Sequence, residues 1–223
     1  MIEFREAERS LTSVLAPIEA RVLLWIAKRL PAWVNPDHLT VLALAAMLFC
    51  GLSYWHARTT GAALLFVIPG LAINWFGDSL DGTLARVRGH ERPRYGFYVD
   101  HVVDAVGAVF LFGGLALSGY MSPVVALMLL TAYLLLLVET FLATYALGTF
   151  TLSYLRIGPT ELRILLAIGS LIVRIHPNAD MFGREYLLFD VAGVVAAVAM
   201  ITTLVAAAVA HTRALYMSEP VRR

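Results

Sequence analysis

The sequence has little charge and almost no cysteine. Only 15% of its 223 residues are charged, whereas 60% are hydrophobic. A soluble domain normally has about a quarter of its residues charged, so this composition excludes an ordinary soluble globular protein. We therefore expect a polytopic membrane protein, in which short loops join the spans of one compact bundle.

The scarcity of cysteine and of basic runs excludes further classes. The single cysteine, Cys50, cannot form a disulfide within the chain. The formal net charge is +1 and no long basic run lies outside the loops between hydrophobic segments, so we expect no nucleic-acid partner. The first residues carry charges of both signs without the short apolar core of a secretory signal, and we expect the N-terminus to be retained.

Uncharged stretches predict six transmembrane helices, each close to the about 20 residues that cross a bilayer. They are residues 38–57, 59–77, the two parts of 105–138 on either side of a turn at 118–123, a weaker segment at 160–177, and 191–212. The weaker segment has Arg163 and Arg174 near its ends, where long side chains can reach the headgroups. The predicted fold class is all-α, a polytopic membrane helix bundle.

Residues 1–33 are predicted to form an N-terminal interfacial amphipathic helix, and residues 34–223 the six-span domain. Charged residues mark one side of this helix, and apolar residues recur on the other at helical spacing: Leu11, Val14, Leu15, Ile18, Val22 and Ile26. Pro17 should kink or split the helix, and Pro31 should end it. The alternative is an ordinary surface helix packed on its own bundle.

The basic residues predict the orientation in the membrane. Nearly all of the 17 lysines and arginines fall on the side that holds both termini, and only Arg58, Arg174 and Arg184 fall on the other. By the positive-inside rule the crowded side is cytoplasmic. We expect an integral protein of the cytoplasmic (inner) membrane, with the active site and both termini facing the cytoplasm.

Four aspartates meet where span two ends and span three begins. Asp78 and Asp81 lie about 60° apart on one helix, and Asp100 and Asp104 lie about 40° apart on the next. A carboxylate in a lipid-facing helix costs about 3 kcal/mol, so positive charge must lie among the four. Neighbouring arginines can supply it to one or two aspartates, whereas hard divalent cations suit the whole group.

The spacing of these residues resembles the signature of the CDP-alcohol phosphatidyltransferase family. It runs Asp78-x2-Asp81-Gly82-x2-Ala85-Arg86-x9-Gly96-x3-Asp100-x3-Asp104. The resemblance implies that Asp78, Asp81 and Asp100 ligate magnesium or manganese on the CDP diphosphate. It also implies that Asp104 is the general base and touches a second metal ion.

The same resemblance implies roles for neighbouring residues. Gly82, Ala85 and Gly96 would border the CDP-alcohol, and Arg86 would neutralise phosphate or brace the aspartates. Thr40, in a segment before span one that also resembles the family, would approach the nucleotide. The family is commonly dimeric, and small residues in spans three and four permit the close helix contacts of a homodimer: Gly113, Gly114 and Ala116.

The implied reaction moves a phosphoryl-alcohol group, in phospholipid biosynthesis, from a CDP-alcohol to a second alcohol with release of CMP. CDP-diacylglycerol is the favoured donor, because a compact six-span chain resembles the prokaryotic branch of the family, and membrane lipids are partners. The alternative is transfer from a small CDP-amino alcohol to diacylglycerol. Asp100 and His101 resemble the Asp-His pair of the cholinephosphotransferases and ethanolaminephosphotransferases that catalyse it.

Further residues have weaker signals. Glu139 lies inside span four among apolar residues, which makes it a candidate functional residue. His101 also suits the interpretation of a core histidine with satisfied hydrogen bonds. Arg156 and Arg163, at the start of span five, are candidates for binding an acceptor or lipid phosphate, or serve only as loop arginines.

Two other classes use similar residues. Intramembrane prenyltransferases bind magnesium and a diphosphate at aspartate-rich motifs, but those motifs lack the glycine and arginine frame of this sequence. A divalent-metal transporter is expected to have its acidic site in the middle of the bilayer rather than at cytoplasmic helix ends. Release of CMP separates both classes from a CDP-alcohol phosphotransferase.

Overall fold

The fold is given by a computed structural model that describes residues 8–10, 16–151, 159–181 and 183–219. Within these ranges it contains seven α-helices: α1 Ala16–Ala27, α2 Pro36–Ala57, α3 Leu64–Arg88, α4 Pro93–Leu117, α5 Pro123–Leu147, α6 Pro159–Ile175 and α7 Leu188–Ser218. A short 3-10 turn, Gly61–Ala63, leads into α3. Strands β1 Glu8–Ser10 and β2 Thr149–Thr151 pair in parallel, and β3 Asn178–Met181 and β4 Arg184–Leu187 form an antiparallel hairpin.

Local sequence signals set the helix boundaries. Pro36, Pro93 and Pro123 each lie in the first turn of a helix, where the missing N–H costs nothing and the fixed φ suits the helix. The Ser122 hydroxyl caps α5 by accepting from the backbone N–H of Val125. Gly148 follows α5 with a φ of 71°, a left-handed conformation that glycine adopts without steric cost.

The membrane class is confirmed. Of the helices that the structure describes, five are long and apolar enough to cross a bilayer: α2, α3 with its 3-10 turn, α4, α5 and α7. Helix α6 has 17 residues and a length of about 26 Å, against about 30 Å for a hydrocarbon core. The protein is therefore an all-α integral membrane protein, while the count of six spans stays a prediction.

The structure describes part of the predicted N-terminal helix as α1, Ala16–Ala27, and the kink or split at Pro17 stays a prediction. Leu23 and Ala27 are buried against α3, as expected of a helix packed on its own bundle, while Ile18 and Trp25 are exposed on its other side. Leu11, Val14 and Leu15 lie outside the described residues.

Helices α2 and α4 cross in backbone contact. A Cβ atom at Gly114 would collide with the backbone of Gly51, and one at Gly51 would collide with the carbonyl of Phe110. Gly114 is therefore committed to packing inside one chain and is not available for the dimer contact predicted from its small size. The neighbouring Gly113 has open space within 4 Å of the corresponding position, as far as the described atoms show.

The α2–α4 crossing predicts that substitution of two adjacent glycines by alanine will have different effects on stability. Gly114→Ala should destabilise the fold by about 1–3 kcal/mol, because the added methyl overpacks a backbone contact that cannot move aside. Gly113→Ala is the matched control and should leave stability unchanged or slightly improved. The measurement is the thermal unfolding midpoint of both variants in detergent, and equal midpoints would contradict the α2–α4 contact.

Candidate active site

The site forms where the end of α3 and the start of α4 meet. Asp78 lies on α3, and Asp100 and Asp104 lie on α4. One carboxylate oxygen from each of the three lies within 4.8 Å of the others. Ligand oxygens on one octahedral magnesium ion are about 3–4 Å apart, so small side-chain rotations would let the group hold such an ion. We call these three residues the carboxylate group.

Asp81 is placed apart from this group. Its Oδ2 accepts a hydrogen bond of 2.6 Å from the Thr40 hydroxyl on α2, and its Oδ1 accepts one of 2.5 Å from the backbone N–H of Gly82. Both oxygens are thus engaged within the protein. The sequence predicted Asp81 as a metal ligand and Thr40 as a neighbour of the nucleotide, whereas the structure joins the two to each other.

The positive charge beside the carboxylate group comes from Arg163 on α6. Its guanidinium forms an ion pair with Asp78, and its Nε donates a 2.7 Å hydrogen bond to the Asn74 side-chain oxygen. Nη1 is buried and has no hydrogen-bond partner among the described atoms. Three ionised carboxylates and one guanidinium leave two negative charges, which one divalent cation would neutralise.

A cavity of about 660 Å³ contains the predicted site residues, a volume in the usual range for small-molecule sites. Its lining includes Thr40, Asp78, Asp81, Gly82, Ala85, Arg86, Gly96, Asp100, Asp104 and Arg163. Gly96 has open space where a side chain would start, and at Gly82 the nearest described atom is Arg86 Nη1 at 3.8 Å. The prediction that small residues leave room beside the carboxylates agrees with this geometry.

Two arginines at the rim of the cavity have only weak interactions with their protein partners. The exposed Arg86 donates to the Thr83 hydroxyl at 3.2 Å. Arg92 pairs with Asp37 at 2.5 Å, and both side chains are about half exposed. The Asp37 carboxylate raises the pKa of the Arg92 guanidinium, which keeps it charged. Exposed pairs of this kind contribute about 0–1 kcal/mol, so an anionic ligand can compete for either arginine.

The three weaker candidate residues, His101, Glu139 and Arg156, have different outcomes. His101 is buried between the rings of Phe97 and Phe141, and its Nδ1 lies 2.5 Å from the Phe97 carbonyl oxygen, which agrees with a core histidine. Glu139 Oε1 lies 2.6 Å from Nδ1 of His211, so α5 and α7 share a polar pair inside the bundle. Arg156 lies outside the described residues.

Sequence reasoning missed several groups that line the cavity. Glu19 on α1, His90 and Tyr95 near the α3–α4 connection, and Glu161 on α6 belong to it. His90 and Tyr95 fall in the stretch of the signature that specifies no residue types, between Arg86 and Gly96. Glu19 and Glu161 lie outside the signature, and only the folded chain brings α1 and α6 beside α3. The partner of Glu139 was missed for the same reason, since His211 is 72 residues away.

Comparison with known families agrees with the motif. The family model described as CDP-alcohol phosphatidyltransferase matches residues 33–214, which covers most of the chain and all four aspartates. No curated protein has a significant sequence match to the chain.

The carboxylate group predicts where metal affinity resides. Asp78→Asn and Asp100→Asn should each weaken Mn²⁺ binding by about tenfold or more, because each removes an anionic oxygen from one group. Glu139→Gln is the control, since it neutralises an intramembrane carboxylate that faces His211 instead. Electron paramagnetic resonance of free Mn²⁺ in titrations of purified protein gives the affinities, and a loss confined to Glu139→Gln would contradict the assignment.

Proposed function

Because this chain belongs to the CDP-alcohol phosphatidyltransferase family, we propose that it transfers a phosphatidyl group from CDP-diacylglycerol to a second alcohol and releases CMP. Membership makes it a membrane transferase of phosphate-containing groups that uses a CDP-alcohol. The observation that carries the finer proposal is the carboxylate group in a cavity rimmed by arginines at one end of the bundle. Phospholipid biosynthesis is the corresponding process.

The lipid donor is favoured over a small CDP-amino alcohol. The alternative depended on the sequence pair Asp100 and His101 and on the intramembrane Glu139. The His101 ring packs between two phenylalanines and contacts its own helix backbone, and Glu139 faces His211 on α7. This placement gives His101 a structural role. The prenyltransferase and metal-transporter alternatives have no support beyond the aspartates, since the family match spans residues 33–214.

The carboxylate group suits Mg²⁺ or Mn²⁺, because hard divalent cations prefer carboxylate oxygens. Asp78 and Asp100 are the proposed ligands, and Asp104 is close enough to share an ion. The resemblance to the family also assigns Asp81 as a ligand, although its oxygens accept hydrogen bonds from Thr40 and Gly82 here. A bound divalent ion would neutralise the diphosphate and stabilise the leaving CMP. Arg86 and Arg92 at the cavity rim add positive charge for the same diphosphate.

The chemical step is a displacement at the phosphorus that carries the diacylglycerol. The acceptor hydroxyl oxygen forms a bond to this phosphorus, the bond to the bridging oxygen of the diphosphate breaks, and CMP leaves with that oxygen. Asp104 is the proposed base that takes the hydroxyl proton. Arg163, which lines the cavity, is the proposed contact for a phosphate on the acceptor or on a lipid.

Location and assembly follow as further proposals. The end of the bundle that holds the cavity also holds Arg86, Arg88, Arg92 and Arg94, so by the positive-inside rule we propose that it faces the cytoplasm, with the inner membrane as the proposed location. A homodimer is still proposed from the family, with Gly113 and Ala116 as small residues that remain at least partly accessible on α4.

Asp104→Asn should separate binding from chemistry. The amide keeps the size of the side chain but cannot accept a proton, so CMP release should fall by about 10²–10⁴ while CDP-alcohol affinity is largely kept. Asp81→Asn, by contrast, should weaken nucleotide and metal binding first. Dissociation constants and rates of CMP release in saturating magnesium test both variants, and near wild-type turnover of Asp104→Asn would assign the base elsewhere.

The donor is tested by reconstituting the protein in lipid nanodiscs with magnesium. CDP-diacylglycerol and a panel of small alcohols, including phosphorylated ones, should give CMP, and excess chelator should abolish it. CDP-ethanolamine with diacylglycerol should give none. CMP release from that second pair alone would overturn the proposed donor, and undiminished release in chelator would overturn the proposed metal.

A further inference from the structure

One carboxylate oxygen of α1 receives hydrogen bonds from two other helices. Glu19 Oε1 accepts from Trp75 Nε1 at 2.6 Å and from the Ser79 hydroxyl at 3.0 Å, both on α3. The same oxygen accepts from the Thr160 hydroxyl at 2.9 Å, at the start of α6. Hydrogen bonds to an ionised acceptor are stronger than those between neutral groups. Glu19 therefore links α1, α3 and α6 at a single atom.

This link lies directly beside the candidate active site. Ser79 follows Asp78 in the chain, and Thr160 precedes Arg163 by one helical turn. The Arg163–Asp78 ion pair also joins α6 to α3, on the neighbouring side of α3. Two contacts therefore hold α6 on α3. One is the direct ion pair of Arg163, and the other runs through Glu19 of α1.

The rest of the inner face of α1 is apolar. Glu19, Leu23 and Ala27 recur every four residues, and Leu23 and Ala27 pack in one cluster with Leu80 and Leu84 of α3. Apolar packing holds α1 on α3 but is not directional. Glu19 is the polar group of this face and lines the cavity. Its hydrogen bonds set the positions of α1 and α6 relative to the carboxylate group of Asp78, Asp100 and Asp104.

We infer that Glu19 is a positioning residue for the carboxylate group: it clamps the start of α6 against α3 and thereby holds Arg163 on Asp78. Without it, three donors lose their acceptor, and the Arg163–Asp78 ion pair loses the second contact that supports it. The inference rests on the proposed function only in assigning a metal-dependent transfer to the site. The clamp itself is a statement about helix positions.

The first test separates metal affinity from donor binding. Glu19→Ala should raise the magnesium concentration for half-maximal CMP release by about tenfold, the low end for groups that orient metal ligands, with a smaller change in KM for the CDP-alcohol. Glu19→Gln keeps one acceptor oxygen and should lie between wild type and Glu19→Ala. Thr160→Val removes one donor at constant size and should act in the same direction. Glu185→Gln, on the β3–β4 hairpin, is the control and should behave as wild type.

The second test measures the clamp without activity. Spin labels at Ile18→Cys on α1 and Leu165→Cys on α6 occupy exposed positions, and the natural Cys50 is fully buried. The distance distribution between the labels should be narrow with Glu19 present and broader in Glu19→Ala and Thr160→Val. Unchanged distributions together with unchanged Mn²⁺ affinity would overturn the inference. Broadened distributions in a protein that releases no CMP from any donor would uphold the clamp and refute the proposed function.

Discussion

The ion pair between Asp78 and Arg163 is the contact on which the arrangement of the site depends. Three carboxylates that approach within 4.8 Å repel one another, and the cost is high in the low dielectric of a membrane protein. Arg163 relieves part of that cost and is itself oriented by Asn74. Because Arg163 comes from α6, this short hydrophobic helix is required to complete the site as well as to fill the bundle.

Other polar groups inside the bundle have partners by the same logic. Asn74 donates to the Ala43 carbonyl at 3.0 Å, and the Tyr54 hydroxyl lies 2.7 Å from that of Ser170. The first contact joins the consecutive helices α2 and α3, and the second joins α2 to α6. In a medium that offers no water, such pairs favour one packing of the helices over its alternatives.

The sequence was most informative where chemistry is encoded locally. The aspartates, their glycines and the membrane class follow from spacing and composition, because a helix places residues three and four apart on one face. The partners of those residues could not be predicted: Thr40 for Asp81, Arg163 for Asp78, and His211 for Glu139 are 41, 85 and 72 positions away. Gly114 was predicted at a dimer contact but packs against Gly51 of the same chain. A small residue permits a close helix contact but does not indicate which helix makes it.

Helix α7 has a consequence for the surrounding lipid. Its 31 residues extend over about 47 Å, whereas a bilayer has a hydrocarbon core of about 30 Å. Its first half is held by buried Phe189, Gly193 and Ala197, and the Glu139–His211 pair holds it again near its far end. Anchored at both places, it cannot tilt freely to absorb the mismatch, so its last turns, with Arg213 and Tyr216, extend beyond the hydrocarbon core into the headgroup layer.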